Sequence, residues 1–211
     1  MKILAIASVV VLALAQASDD AWLQWDAARA QAIGKAAYVQ GRVGGIFDTR
    51  LLKTERSYNY KLAATWLNGD VIRAGARILQ LTGRLSDDDT RQLVTDASAV
   101  GDTVVMVEID PREGSGVIPN DWSAFLQPAT PKDQPARAVR GTSRPELREI
   151  KALAGVMRRN YDYDRFWVVF SLRHADGKPL FGPADAEAEL VVRIADREGR
   201  VKWPIPASLR R

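Results

Sequence analysis

From Glu189 to Ile205 the chain alternates with a period of two. Leu190, Val192 and Ile194 occupy every second position before the polar stretch Asp196-Arg197-Glu198-Gly199. Val201, Trp203 and Ile205 resume the alternation after it. That period sets the apolar side chains on one face of an extended ribbon. A short polar turn suits antiparallel neighbours, because parallel strands need a crossover of a dozen residues or more. Pro204 and Pro206 cannot donate to a ladder, so they mark an edge and an end.

Four more segments read as strands. In Ser57 to Leu67, Tyr58, Tyr60, Leu62, Ala64 and Trp66 alternate with Asn59, Lys61, Ala63 and Thr65. Thr103 to Ile109 is rich in β-branched residues and reads as a buried strand. Val117 to Leu126 forms an irregular strand interrupted by Pro119, and Arg165 to Leu172 is the clearest core strand. Asp176-Gly177 signals a turn.

Helical signals fall between the strands. Val71 to Thr82 follows a helical period, with Gly83 as terminator. Ser86 to Asp89 opens a second helix, with acids at the positive end of its dipole and Leu93, Val94 and Ala97 on its apolar face. Near the N-terminus, Ser18 to Asp20 caps a helix that runs to about Tyr38. Trp22, Trp25, Ala32, Ile33 and Ala36 form its stripe, which describes a helix packed on the domain. A membrane-surface helix needs a strongly basic opposite face, and only Lys35 stands there. Ser143-Arg144-Pro145-Glu146 is a capping box for a helix reaching about Arg159.

These signals predict an α+β chain. The expected architecture is an antiparallel β-sandwich of immunoglobulin-like form, with helical insertions near 70–100 and 144–159. It occupies 46–211 and follows an N-terminal helix and glycine-rich linker at 18–45. The label is architectural, because the cysteine-tryptophan-cysteine spacing of immunoglobulin domains is absent.

Residues 1–17 read as a signal peptide. Lys2 precedes an apolar run from Ile3 to Ala15, and Ala15-Gln16-Ala17 is a small-x-small cleavage pattern. The run falls short of the roughly 20 residues of a membrane span, so no transmembrane anchor remains after cleavage. The expected destination is the periplasm or the exterior. With no cysteine in the chain, disulfides, thiolate metal sites and thiol nucleophiles are excluded, and the exported fold relies on its core alone.

Few residues can do chemistry. His174 is the sole histidine, at a strand end beside a turn. No Gly-x-Ser-x-Gly elbow accompanies it. No phosphate loop or dinucleotide fingerprint occurs, and no cofactor or metal site is assigned. Carboxylates are the remaining catalytic option. Glu108 and Asp110 share a strand face at i, i+2, and Asp162 and Asp164 do so if their segment is extended. Two such acids flanking a cleft would serve a hydrolase acting on envelope glycans. Asp162-Tyr163-Asp164 lacks the glycine and terminal glutamate of a calcium loop.

Charge supplies the sharpest clue. Between Lys132 and Arg165 stand nine basic and five acidic residues, an excess equal to the +4 of the whole chain. On a helix, Arg144, Arg148, Lys151, Arg158 and Arg159 would form one basic face opposite Leu147, Ile150, Leu153, Ala154 and Met157. Such a face is either plainly solvated or an anion-binding surface. Nucleic acid is a poor partner for an exported chain without aromatic-basic interleaving. An anionic envelope polymer, a lipid headgroup or an acidic protein fits better, since guanidinium pairs with phosphate and carboxylate through two bonds. The expected function is that of a non-enzymatic binding or envelope-associated module. The alternatives are the carboxylate-dependent hydrolase and a structural or assembly subunit.

Overall fold

The computed structural model describes residues 20–42, 60–111, 118, 120–129, 137–156, 164–194 and 197–210. The signal segment, Asp162, Arg158 and Arg159 lie outside the described residues.

The chain is mixed α+β, with three α-helices and two antiparallel four-stranded sheets among the described residues. The strands are β1 (Tyr60–Trp66), β2 (Thr103–Pro111), β3 (Ser123–Pro128), β4 (Val139–Arg140), β5 (Thr142–Ser143), β6 (Asp164–Phe170), β7 (Glu187–Ile194) and β8 (Arg197–Pro204). One sheet has the order β1-β2-β6-β5 and the other β4-β3-β7-β8. In the β7–β8 ladder Ile194 faces Arg197 and Leu190 faces Val201, which sets both apolar rows on one face.

Alternation explains the main core. Leu62, Ala64 and Trp66 of β1, Val105, Val107 and Ile109 of β2, and Val168 and Phe170 of β6 point to one side. They join Ala124 and Leu126 of β3, Leu190, Val192 and Ile194 of β7, and Val201 and Trp203 of β8 in a single cluster. Burial of each large member stabilises by about 1.5–3 kcal/mol against exposure.

Helices cover the opposite face of the first sheet. Val104 and Met106 of β2 and Trp167 of β6 form a second cluster with Trp22, Val71, Ile72, Ala97, Leu147 and Leu153. Strand β2 is therefore buried on both faces, which accounts for its unbroken apolar run.

The helices are α1 (Ala27–Gln40), α2 (Gly69–Gly83) and α3 (Asp87–Ser98). The cap of α1 is Asp26, whose Oδ1 accepts the Arg29 N–H at 2.7 Å. Asp20–Gln24 forms a separate 3-10 turn, so the Ser18–Asp20 start expected from sequence lies upstream of the true one. Asn68 caps α2 through the Val71 N–H at 3.1 Å. That helix runs through Gly83 and closes on Arg84, held left-handed at φ 53° and ψ 43°. Ser86 caps α3 as the sequence pattern predicts, accepting the Asp89 N–H at 3.1 Å.

Two further departures matter. Strand β3 starts at Ser123, later than expected, and β4 and β5 fall in a stretch that carried no strand signal. They flank Gly141, where the chain passes from one sheet to the other. A Cβ on Gly141 would sit 2.6 Å from Phe170 Cε1 and closer still to Val168 Cγ1, so the crossing needs glycine.

The expected α-helix from Ser143 to about Arg159 is replaced by two 3-10 helices, Pro145–Glu149 and Lys151–Ala154. Ser143 is spent on β5, and no side chain caps the first turn. Ile150 between them is extended at φ −83° and ψ 101°. The N–H groups of Leu147, Ile150 and Leu153 donate to carbonyls three residues back, at 2.9–3.1 Å. A three-residue period stacks these apolar side chains in one row. All three pack in the helix-side cluster, and Trp167 Nε1 donates to the Leu153 carbonyl at 2.8 Å.

Candidate functional site

The predicted basic face is rearranged by that change of helix type. Arg144, Arg148 and Lys151 no longer follow a spacing of 100° per residue. Arg144 pairs with Glu146, and the hydrogen bond from that guanidinium holds the Glu146 carboxyl below its ordinary range. Arg148 Nε donates to Glu149 at 3.0 Å, both side chains being well exposed. Local carboxylates thus offset two of the cations, and Lys151 stands exposed beside them.

The candidate acids separate. Glu108 and Asp110 share the helix-side face of β2, as their spacing requires, and both are buried. Asp164 faces Ile109 across the β2–β6 ladder, so its parity is that of the core side, at an exposed strand end. Glu108 stands directly opposite Arg165, whose Nε donates to Oε1 at 2.7 Å. The side chains are 3% and 14% exposed, and Arg165 also reaches the Ala154 carbonyl at 3.4 Å. Glu108 Oε2 has no hydrogen-bond partner among the described residues. Asp110 and Asp164 each take part in an interaction of their own. Sequence reasoning placed Arg165 at the start of a core strand and in the basic count but not beside Glu108, because that partner lies 57 positions away.

His174 sits half-buried in a turn closed by the Gly177 N–H on its carbonyl at 2.9 Å, with Gly177 at φ 83°. Its Nε2 is shielded and has no partner among the described residues. Asp176 is drawn below its ordinary range chiefly by hydrogen bonds from the side chain and backbone of Lys178. The nearby Ser171 hydroxyl donates to the Arg173 carbonyl at 2.8 Å. That turn is structural chemistry, with no nucleophile aligned to a base.

Two clefts meet beside Trp66. One of about 220 Å³ is lined by Gln40, Trp203 and Pro204, and one of about 320 Å³ by Asp70, Arg73 and Asp102. Trp66, Asn68 and Pro206 belong to both. Neither contains Glu108, Asp110, Asp164 or His174. Trp66 and Trp203 are each 3% exposed, so they wall the clefts without offering a ring face for stacking. Among the described residues no group of three metal-ligating side chains converges, and no helix is long and apolar enough to cross a membrane.

Comparison with known proteins gives no matching family model, no matching curated protein and no matching solved structure.

Proposed function

We propose that this chain is an exported, non-enzymatic binding module of the cell envelope, built on an immunoglobulin-like β-sandwich. The observation that favours binding over catalysis is the position of the carboxylates. Glu108 lies beneath the helical layer in a buried ion pair with Arg165, and Asp164 is on the opposite face. A glycosidase needs two carboxyls flanking an open cleft.

The sandwich reading is supported by the single hydrophobic cluster that both sheets share. The immunoglobulin-like label is supported by strand order. Lettered A, B, C, C′, D, E, F and G along the chain, the strands read A-B-E-D in one sheet and C′-C-F-G in the other. The seven-stranded immunoglobulin arrangement has A-B-E-D against C-F-G. Export rests on the pattern of residues 1–17. The proposed partner is anionic: an envelope polymer, a lipid headgroup or an acidic protein. The run Arg144, Arg148, Lys151, Arg158 and Arg159 is a candidate contact.

Cell fractionation with N-terminal sequencing tests the reading. The expected result is a chain starting at Ser18, recovered with envelope material and released by salt. Replacing Glu108 by leucine together with Arg165 by methionine, which removes the carboxylate without stranding its partner, should leave that association unchanged. An intact Met1 in the cytosolic fraction would overturn it.

A further inference from the structure

The described cations divide into those with a carboxylate partner and those without. Arg91 pairs with Asp20 and Asp88, Arg137 with Asp185, Arg165 with Glu108, and Arg193 and Arg200 with Glu198. Arg144 and Arg148 hold their neighbouring glutamates. Arg84, Arg140, Lys151, Arg173 and Lys202 are exposed and form no ion pair among the described residues, so what sets the α1 segment apart is its lack of neighbouring acids. No acidic residue occurs between Asp26 and Asp48, and this stretch contains Arg29, Lys35 and Arg42. All three are exposed. Arg29 lies over the Trp25 ring at 5.0 Å and Arg42 over Tyr38 at 5.7 Å, so two of them rest on aromatic faces. Neither they nor Lys35 form an ion pair among the described residues.

The same side of α1 is apolar between its cations. Ala32 and Ala36, expected from sequence to face the domain, are instead exposed with Ala28 and Val39, because the close-packed side of the helix is that of Ala30 and Gly34. Val39 at 56% is more open to solvent than any other large hydrophobic side chain among the described residues. Ala30 and Gly34 face inward, and Gly34 abuts Val156 so closely that a Cβ would overlap it. The helix therefore cannot roll, and its basic and apolar outer face stays outward.

We propose that this outer face of α1, together with Arg42 just past its C-cap, docks on an anionic lipid bilayer, with Arg29, Lys35 and Arg42 at the headgroup phosphates and Val39 against the acyl boundary. Charge complementarity selects an anionic partner. The exposed apolar ridge between the cations selects a bilayer over a soluble polyanion, which offers nothing to Val39. A cation near an anionic membrane surface contributes about 1 kcal/mol, or about fivefold in partitioning. Three give weak, reversible binding that salt screens. The inference uses the envelope reading only for the presence of a membrane, and its test does not depend on export.

The test is cosedimentation of the chain from Ser18 onward with vesicles of phosphatidylcholine and phosphatidylglycerol, beside vesicles of phosphatidylcholine alone. Binding is expected only where phosphatidylglycerol is present, and it should fall as salt rises. Lys35→Gln with Arg42→Gln should weaken it by about 25-fold. Lys35→Arg should retain it, and Val39→Ser should weaken it at high salt. A thermal melt of each variant shows that the fold is intact. Absence of binding to the anionic vesicles would overturn the proposal. So would equal binding by the double variant, or a loss that follows Arg148→Glu with Arg158→Glu instead. Binding to dextran sulfate without binding to vesicles would assign the face to a polyanion.

Discussion

Replacing Arg165 by methionine should be among the most damaging single changes outside the sandwich-facing core. The guanidinium is the partner of Glu108 Oε1 at 2.7 Å, and the carboxylate side chain is only 3% exposed. Its second oxygen already lacks a partner among the described residues. Removing the cation strands a buried carboxylate with neither counter-charge nor water. Breaking such a pair from one side costs about 3–5 kcal/mol. At about 2–4 °C per kcal/mol for a chain of this size, the melting temperature should fall by about 6–20 °C. The companion variant, Glu108→Leu with Arg165→Met, removes both charges and should recover most of the loss, since a packed apolar pair in place of a buried ion pair is often neutral or stabilising. Thermal and urea unfolding followed by circular dichroism would measure both. If Arg165→Met melts within a degree or so of the parent, or the double change is no better than the single one, Glu108 is not a shielded structural charge. It would then be open to solvent and available for acid–base work, which restores the hydrolase reading.

Other changes address single features. Gly141→Ala should destabilise by about 1–3 kcal/mol in urea titration, because its methyl enters space held by Val168 and Phe170. Arg84→Gly should raise stability by about 1 kcal/mol, since arginine holds a left-handed cap that glycine adopts without strain. Asp26→Ala should cost about 1 kcal/mol by removing the cap of α1, seen as a lower melting temperature. Burial raises the affinity of Glu198 for a proton, but hydrogen bonds from Arg193 and Arg200 outweigh it and leave the carboxyl below its ordinary 4.5. Its stabilisation is thus present above pH 4.5 and lost as pH falls through the lower folded value. The stability gap between the parent and Glu198→Gln should be below about 1 kcal/mol at neutral pH and close in acid.

Strand faces were legible because alternation is a local property. Leu62, Ala64 and Trp66 point where their period says, as do Leu190, Val192 and Ile194. The helical hairpin of α2 and α3 was legible for the same reason, with Ser86 at its expected cap. Strands β4 and β5 were not, since two-residue strands have no period to read. The 143–159 segment misled because capping-box spelling and a helical apolar stripe describe an isolated helix. Here the sheet competes for the backbone: Ser143 joins β5, and the Arg144 N–H goes to the Trp167 carbonyl at 2.8 Å.

The candidate site divides along the same line. Composition alone removed thiol chemistry, since no cysteine is present, and spacing alone put Glu108 and Asp110 on one face. Which distant charges pair was decided by the tertiary structure. Register across β2 and β6 brought Arg165 to Glu108 and spent both. Short-range pairing offset Arg144 and Arg148, while Arg29, Lys35 and Arg42 occupy a stretch of sequence without acids. Sequence sets periodicity, because side-chain direction repeats along a single chain. Pairing joins residues that only the folded chain brings together, so the arrangement of charge follows from the tertiary structure.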